Sequence, residues 1–328
     1  MLITVDCGST NMRCRLFDGA TLLAEAKRAA GCRNTAFNGT SDFLRQSLKE
    51  CIDELLTAGN LRESDVEAVI SSGTLASDVG IFHIPHAIAP VGIMESAAAA
   101  RMTVLEDITS IPILFIPGVK TQPNGGEEDD IAFIDTLESM SGEECETYGI
   151  MAQFGLKGNF TVTLPGSYNK VFTVDGDGRI TFLQTGMCGE FIAAMSEHTL
   201  LKHSLPHPVI RKIMPDMLIR GFNYASARGV SPSLVKARTS QFIADWDKDT
   251  AANFFVGALL KDDIMSAYNI CGEDGKLIIG GGDPLRSIFE LLLRHAGAKN
   301  IIVIDNTAAR LAPSIGAMQV YAEWKKNN

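Results

Sequence analysis

Asp6-Cys7-Gly8-Ser9-Thr10-Asn11 is a turn with more chemistry than chain reversal requires: one carboxylate, one glycine, two hydroxyls and one amide. Leu2, Ile3, Thr4 and Val5 before it read as a buried strand. After it, Arg13, Arg15 and Phe17 alternate with Met12, Cys14 and Leu16, the period-two signature of a second strand. Asp18-Gly19 is a tight-turn pair, and residues 21–26 supply a third strand. Backbone N–H groups and hydroxyls in such a turn can hold phosphate oxygens, beside an acid able to hold Mg²⁺. An ordinary hairpin with polar decoration would use the same residues, so this stretch alone leaves both readings open.

Residues 162–182 repeat the pattern: an apolar strand, Pro165-Gly166-Ser167-Tyr168-Asn169-Lys170, an alternating strand, and the turn Asp175-Gly176-Asp177-Gly178. Gly8-Ser9-Thr10-Asn11 aligns with Gly166-Ser167-Tyr168-Asn169 without a gap, and Leu164 stands where Asp6 would. A duplicated hairpin with one acidic copy predicts two similar α/β domains whose turns clasp the phosphates of a shared nucleotide.

The 328 residues leave room for two domains with substantial cores. Apolar residues at 46% and charged residues at 21% give a globular balance. A formal net charge of −10, with no Lys/Arg cluster, argues against nucleic acid as a partner. Seven scattered cysteines without a C-x-x-C pair argue against a disulfide framework or zinc ribbon. No apolar stretch is long enough to span a membrane, and no signal peptide precedes the first strand, so a cytoplasmic location is expected. The sequence does not fix an oligomeric state; a homodimer is compatible with it.

Further along, Thr40 or Ser41 can cap a helix whose apolar face is Leu44, Leu48, Ile52 and Leu55, ending near Gly59. Residues 66–70 form a buried strand that delivers Ser71-Ser72-Gly73-Thr74, then Ser77 and Asp78, into a loop. That loop faces a ligand or is a solvated connection. Residues 94–105 are alanine-rich and predict a helix, residues 111–116 a strand, residues 119–130 a surface loop, and residues 131–138 a helix. The acids at 127–130 read as a solvated helix start. A domain boundary is expected at residues 150–158. In the second half a helical block leads to a strand at 276–279. The triplet Gly280-Gly281-Gly282 follows, which either admits a flat ligand to the backbone or makes a tight packing turn. His83 and His86, like His198, His203 and His207, match no metal-binding spacing and read as packing or hydrogen-bonding residues.

The opening Asp6-Cys7-Gly8-Ser9-Thr10-Asn11 resembles the first phosphate motif of the actin-like ATPase superfamily that includes sugar kinases. The chain as a whole resembles the 2-dehydro-3-deoxygalactonokinase family. The matching stretches are that motif, Ser72-Gly73-Thr74 through Pro85-His86, Ala89-Pro90-Val91-Gly92 and Ile116-Pro117-Gly118-Val119. They continue with residues 140–146, Leu164-Pro165-Gly166-Ser167 with Lys170, residues 185–191 with His198, and the late glycine turn. The resemblance implies two ribonuclease-H-like domains, residues 1–152 and 153–328, around a central cleft. It implies an ATP- and Mg²⁺-dependent kinase acting on a hydroxyl of a small sugar acid, most simply 2-dehydro-3-deoxygalactonate. Asp6 would then hold Mg²⁺. Gly8, Ser9, Thr10, Asn11, Gly166 and Ser167 would cradle phosphates, Lys170 would offset their charge, and Gly280, Gly281 and Gly282 would flank the adenosine. Glu143 or Glu144 would accept the hydroxyl proton, and Gly73, Thr74 and Ser77 would wall the substrate. Ser141 and Cys145 stand where the family pattern has arginine and threonine, Cys7 replaces a usual aromatic, and residues 71–86 hold no arginine. Lys120 and Lys157 are the nearest compensating cations in sequence. A nucleotide-binding regulator without turnover, or a kinase for another small molecule such as pantothenate, are the alternatives.

Overall fold

Alternation in the first 28 residues produces an antiparallel meander of β1 (Leu2–Cys7), β2 (Met12–Asp18) and β3 (Thr21–Arg28). The computed structural model describes residues 1–123 and 131–328. The acid run at 127–130, and most of the loop expected at 119–130, lie outside the described residues. The chain divides into two units: unit 1 is Met1–Gly158, Asp175–Phe182 and Thr307–Asn328, and unit 2 is Asn159–Val174 and Leu183–Asn306.

In unit 1 the meander is followed by α1 (Cys32–Asn38), α2 (Asp42–Gly59) and β4 (Ala68–Gly73). Then come β5 (Ala87–Ile88), α3 (Ile93–Ala99), β6 (Arg101–Leu105) and β7 (Thr109–Phe115). The last stretch holds β8 (Val119–Lys120), α4 (Ile131–Ile134), β9 (Ser139–Met140) and α5 (Glu143–Phe154). The main sheet has the order β3-β2-β1-β4-β7-β6, with β4 parallel to β1 and β7 parallel to β4. α2 buries Leu44, Leu48, Cys51, Ile52 and Leu55 among Ile3, Val5, Leu16 and Val69 of the sheet, the apolar stripe read from the sequence.

Two expectations are corrected here. Residues 94–105 are not one helix. Ala100 leaves the helical region with ψ 150, and Arg101-Met102-Thr103-Val104-Leu105 pairs with β7 as a strand, its β-branched residues overriding the alanines before it. The strand expected at 66–70 extends to Gly73 because parallel pairing with β1 continues as far as Cys7, so Ser71 and Ser72 are buried strand residues, not loop.

Unit 2 repeats the design. β10 (Phe160–Leu164), β11 (Asn169–Val174) and β12 (Ile180–Gly186) form its meander, the chain passing from unit 1 to unit 2 at Leu183 within β12. The helical block comprises α6 (Cys188–His198), α7 (Pro215–Arg228), α8 (Val230–Leu234), α9 (Lys236–Ile243), α10 (Lys248–Leu259) and α11 (Lys261–Cys271). β13 (Lys276–Ile279), α12 (Leu285–Ala296) and β14 (Asn300–Val303) complete the unit. The sheet order is β12-β11-β10-β13-β14, with β13 parallel to both β10 and β14. A meander followed by two parallel strands, beginning at the central strand in each unit, is the ribonuclease-H-like topology twice over.

α13 (Asn306–Asn327) returns to unit 1, where Ser314 Oγ meets the Thr4 hydroxyl at 2.8 Å and Arg15 Nη1 at 3.1 Å, and Arg310 pairs with Glu25. The closing helix, assigned from sequence to residues 153–328, therefore groups with the first unit. The two hairpins also differ by one residue. Asp6 faces Arg13 across residues 7–12, whereas Leu164 faces Lys170 across residues 165–169. The gapless alignment of Asn11 with Asn169 thus fails: Asn11 stays in its turn, while Asn169 is buried in β11 and its Oδ1 accepts from the Thr163 hydroxyl at 2.9 Å. Lys170 takes the position of Arg13. Among the described residues no helix is long and apolar enough to cross a membrane.

Candidate active site

Parallel pairing of β1 with β4 sets Asp6 beside Ser72 and Cys7 beside Gly73 at the carboxyl ends of two central strands. Gly73 has φ +88, and a Cβ there would fall 2.2 Å from the Cys7 carbonyl oxygen, so only glycine allows the strands to end this way. α5 starts against them. Its N-cap Gly142 has φ +112, and a Cβ on it would lie 3.3 Å from Gly73 Cα and 4.0 Å from Asp6 Oδ1. Asp6, Gly73 and Gly142 therefore converge, with the partial positive charge of a helix N-terminus beside the carboxylate. Asp6 is 18% exposed and pairs with Arg13 at 3.2 Å, the residue opposite it in the hairpin.

The two candidate bases differ sharply. Glu144 has 0% exposure, and both its oxygens accept from Gly142 N–H, at 3.0 and 2.8 Å. Burial, and then the charge of Glu143, push its carboxyl up to about 8. It holds the helix start from inside the fold. Glu143 is half-buried and accepts from Ser141 N–H at 3.0 Å.

The phosphate-type turn is tied from behind. Gly8 N–H donates to Asn11 O at 2.9 Å, while Cys32 and Arg33, at the start of α1, donate N–H to Gly8 O and Ser9 O at 3.3 and 3.0 Å. The Thr74 hydroxyl donates to Cys7 O or Gly8 O, 3.0 and 3.1 Å away, and the Ser77 hydroxyl to Thr74 O at 2.7 Å. Thr74 and Ser77, expected to wall the substrate, thus brace the turn. The N–H groups of Ser9 and Thr10 have no partner among the described residues and remain for a ligand.

Unit 2 uses the same device. Glu190 at the start of α6 donates N–H to Ser167 O at 2.9 Å, and the Cys188 thiol meets Gly166 O at 3.5 Å. A Cβ on Gly31 or on Gly189 would come within 2.3 Å of the turn's carbonyl oxygens in its own unit. Lys170 Nζ donates to the Thr185 hydroxyl at 2.8 Å. Within the glycine triplet, Gly280 N–H is spent on Thr163 O at 3.0 Å, and Gly281 (φ +71) packs on Pro165 O, whereas Gly282 has open space at its Cβ position. The sequence reading missed Arg13, whose place opposite Asp6 was implicit in the alternation. It also missed Asp263, whose carboxyl is raised to about 6 by burial, against a hydrogen bond from Asn169. Asp263 lines a cavity of about 330 Å³ with Gln184, Thr185, Gly186 and Phe191.

Among the described residues no three His, Cys, Asp or Glu side chains gather as a metal cage. A single carboxylate such as Asp6 suits a magnesium ion carried by a nucleotide, which uses one or two carboxylates and takes its other ligands from phosphates and water.

Two ribonuclease-H-like units, each with a Gly-Ser turn braced at the end of its first hairpin, define a protein of the sugar-kinase and actin-like ATPase class. Over residues 6–312 the chain matches the family model of 2-keto-3-deoxy-galactonokinase, and it belongs to that family. It is 24% identical over 314 residues to 2-dehydro-3-deoxygalactonokinase of Escherichia coli (strain K12), spanning 93% of this chain and 94% of that relative. The structure of a proposed 2-dehydro-3-deoxygalactonokinase from Sinorhizobium meliloti has a TM-score of 0.76 at 20% identity, over 98% of this chain and 97% of that one. The activator of 2-hydroxyisocaproyl-CoA dehydratase from Clostridium difficile, with bound ADPNP, shares the fold at a TM-score of 0.52 and 14% identity, over 99% and 96% of the two chains. The family makes this chain a carbohydrate kinase, an ATP-using phosphotransferase with an alcohol group as acceptor.

Proposed function

We propose that the chain transfers the γ-phosphoryl group of ATP to a hydroxyl of 2-dehydro-3-deoxygalactonate or a closely related sugar acid. The observation that carries this reading is the convergence of Asp6, Gly73 and the N-terminus of α5 in a chain that matches the kinase family over residues 6–312. Phosphoryl transfer asks the protein for alignment and charge neutralisation more than for covalent chemistry. The N–H groups of Ser9 and Thr10, with Gly8 and Asn11 shaping their turn, would hold phosphate oxygens in unit 1, and Gly166 and Ser167 would do so in unit 2. Lys170 would offset phosphate charge, and Gly282, with room at its Cβ, would lie along the adenosine. Asp6 would hold magnesium, which supplies further charge neutralisation. Glu143, a half-buried carboxylate at the start of α5, would accept the hydroxyl proton. Cys145, one of the departures from the family pattern, is fully buried beside Ser72 and Glu144, so its thiol is out of reach of a ligand. A cytoplasmic location goes with this reading.

The test is a panel of sugar acids and their stereoisomers, screened for ATP-dependent phosphorylation by the wild type and by Asp6→Asn. Removing an electrostatic contact of this kind lowers kcat by about 10²–10³. The variant should stay folded, since Asp6 sits at a strand end. A folded Asp6→Asn protein with full turnover would remove Asp6 from the site, and a panel in which no acid is phosphorylated would remove the substrate class.

A further inference from the structure

Unit 1 carries a second sheet of order β5-β8-β9. Ile88 pairs with Lys120, and Lys120 with Ser139, so these three form a row across one face. Two residues along each strand, His86, Gly118 and Ser141 form the next row on the same face, about 7 Å away. His86 Nε2 lies 3.1 Å from Ser141 Oγ, and a Cβ on Gly118 would strike both, at 2.4 Å from Ser141 Oγ and 2.7 Å from His86 Cδ2. Glycine in the middle strand leaves that pair in contact. Val119 and Met140, on the opposite face, are buried. Ser141 immediately precedes Gly142, which packs against Gly73 and Asp6, so this face leads to the proposed reaction centre.

The face opens on a cavity of about 370 Å³, within the span of about 300–1,000 Å³ usual for small-molecule sites. Its exposed lining is mostly apolar, with Ile88, Pro123 and Leu137 beside the polar Gln122 and Ser139, and Lys120 brings a cation; the Thr121 and Thr136 hydroxyls are turned to backbone carbonyls. Lys120 has no ion-pair partner among the described residues and is exposed. Burial, and then the nearness of Lys120, hold His86 below its ordinary value, so its ring adds no charge at neutral pH and Lys120 is the cation of this face. One ammonium without an ion-pair partner, beside a serine, an amide and apolar walls, forms a set complementary to a small hydroxy acid: the cation for its acid group, the polar groups for a hydroxyl and the apolar walls for its carbon chain.

We propose that this face is the carboxylate subsite of the acceptor: Lys120 holds the acid group of the substrate, and the His86–Ser141 pair walls the path from there to Gly142. The assignment rests on the sugar-acid kinase reading and adds to it the residue that selects an acid over a neutral sugar.

The experiment compares wild type, Lys120→Met and Lys120→Arg on 2-dehydro-3-deoxygalactonate and on its carboxamide, with thermal melts as the folding check. Loss of a charge-assisted contact at an exposed site should raise the KM of the acid about tenfold or more in Lys120→Met, with kcat and the KM of ATP changed by less than about threefold. Lys120→Arg should recover most of the loss. The KM of the carboxamide should be alike in wild type and Lys120→Met. A wild type that phosphorylates the acid, with a Lys120→Met variant whose KM for the acid is unchanged, overturns the subsite alone. A wild type that phosphorylates no sugar acid overturns the function, and the subsite with it.

Discussion

A carboxyl group with no exposed surface, both of whose oxygens rest on a single N–H, keeps its proton far beyond the ordinary carboxylate range, and Glu144 does so to about 8. Its folded-state value lies above the ordinary 4.5, so the folded chain binds a proton there that the unfolded chain has released. Stability is therefore lost as pH rises from about 4.5 to 8. Glu144→Gln mimics the protonated form. Its unfolding free energy relative to wild type should be near zero at pH 4.5 and increasingly favourable toward pH 8.5, as read by denaturant titration at each pH. A difference that does not move with pH would mean that Glu144 is ionised in the fold. The same variant should keep its phosphotransferase activity, whereas Glu143→Gln should lose it. The adjacent Glu143-Glu144 pair was legible in the sequence as a catalytic candidate, but which of the two faces inward was not. That choice depends on the left-handed Gly142, whose φ is set by its approach to Gly73 and not by its neighbours in sequence.

At the scale of elements, α1 and α6 do the same work in the two units: each helix start takes the carbonyls of a Gly-Ser turn, α1 with the N–H groups of Cys32 and Arg33, α6 with the N–H of Glu190 and the thiol of Cys188. The close approach needs glycine, and an alanine at Gly31 or Gly189 would press on backbone that cannot yield without moving the turn. Gly31→Ala and Gly189→Ala should each cost about 1–3 kcal/mol of stability. Each should raise the KM of ATP more than that of the sugar acid, in steady-state kinetics with either substrate varied. A variant that raises only the KM of the acid would break the assignment of its turn to phosphate. α1 was invisible in the sequence because it buries none of its residues and so shows no apolar period. β5, β8 and β9 were invisible for another reason: two-residue strands are too short to alternate, and they exist only by pairing with one another. The long amphipathic α2 and both meanders were readable because each buries one face over many residues.

For the whole molecule, duplication explains most of what could be read in advance, and asymmetry explains the chemistry. The two hairpins share their course, yet Asp6 is replaced by the buried Leu164, so only unit 1 offers a carboxylate at that position. A chain of net charge −10 that handles ATP and an organic acid must also supply cations locally. It sets Arg13 opposite Asp6 and Lys170 opposite Leu164, and leaves Lys120 on its own face of the small sheet. The two proposed ligands should accordingly leave different marks in hydrogen exchange. The sugar acid alone should slow exchange at residues 86–88, 118–123 and 139–144 and leave unit 2 unchanged, since the cavity beside Lys120 is lined by unit 1 alone. ATP with magnesium should slow exchange at residues 8–11 and also at 166–168. A ligand at 100 times its Kd stabilises the state it binds by about 2.7 kcal/mol, ample for detection in amides that exchange through local opening. Protection by the acid in unit 2 would relocate the acceptor site, and protection by ATP confined to one turn would show that the duplicated hairpin kept its shape in the other unit without keeping its ligand.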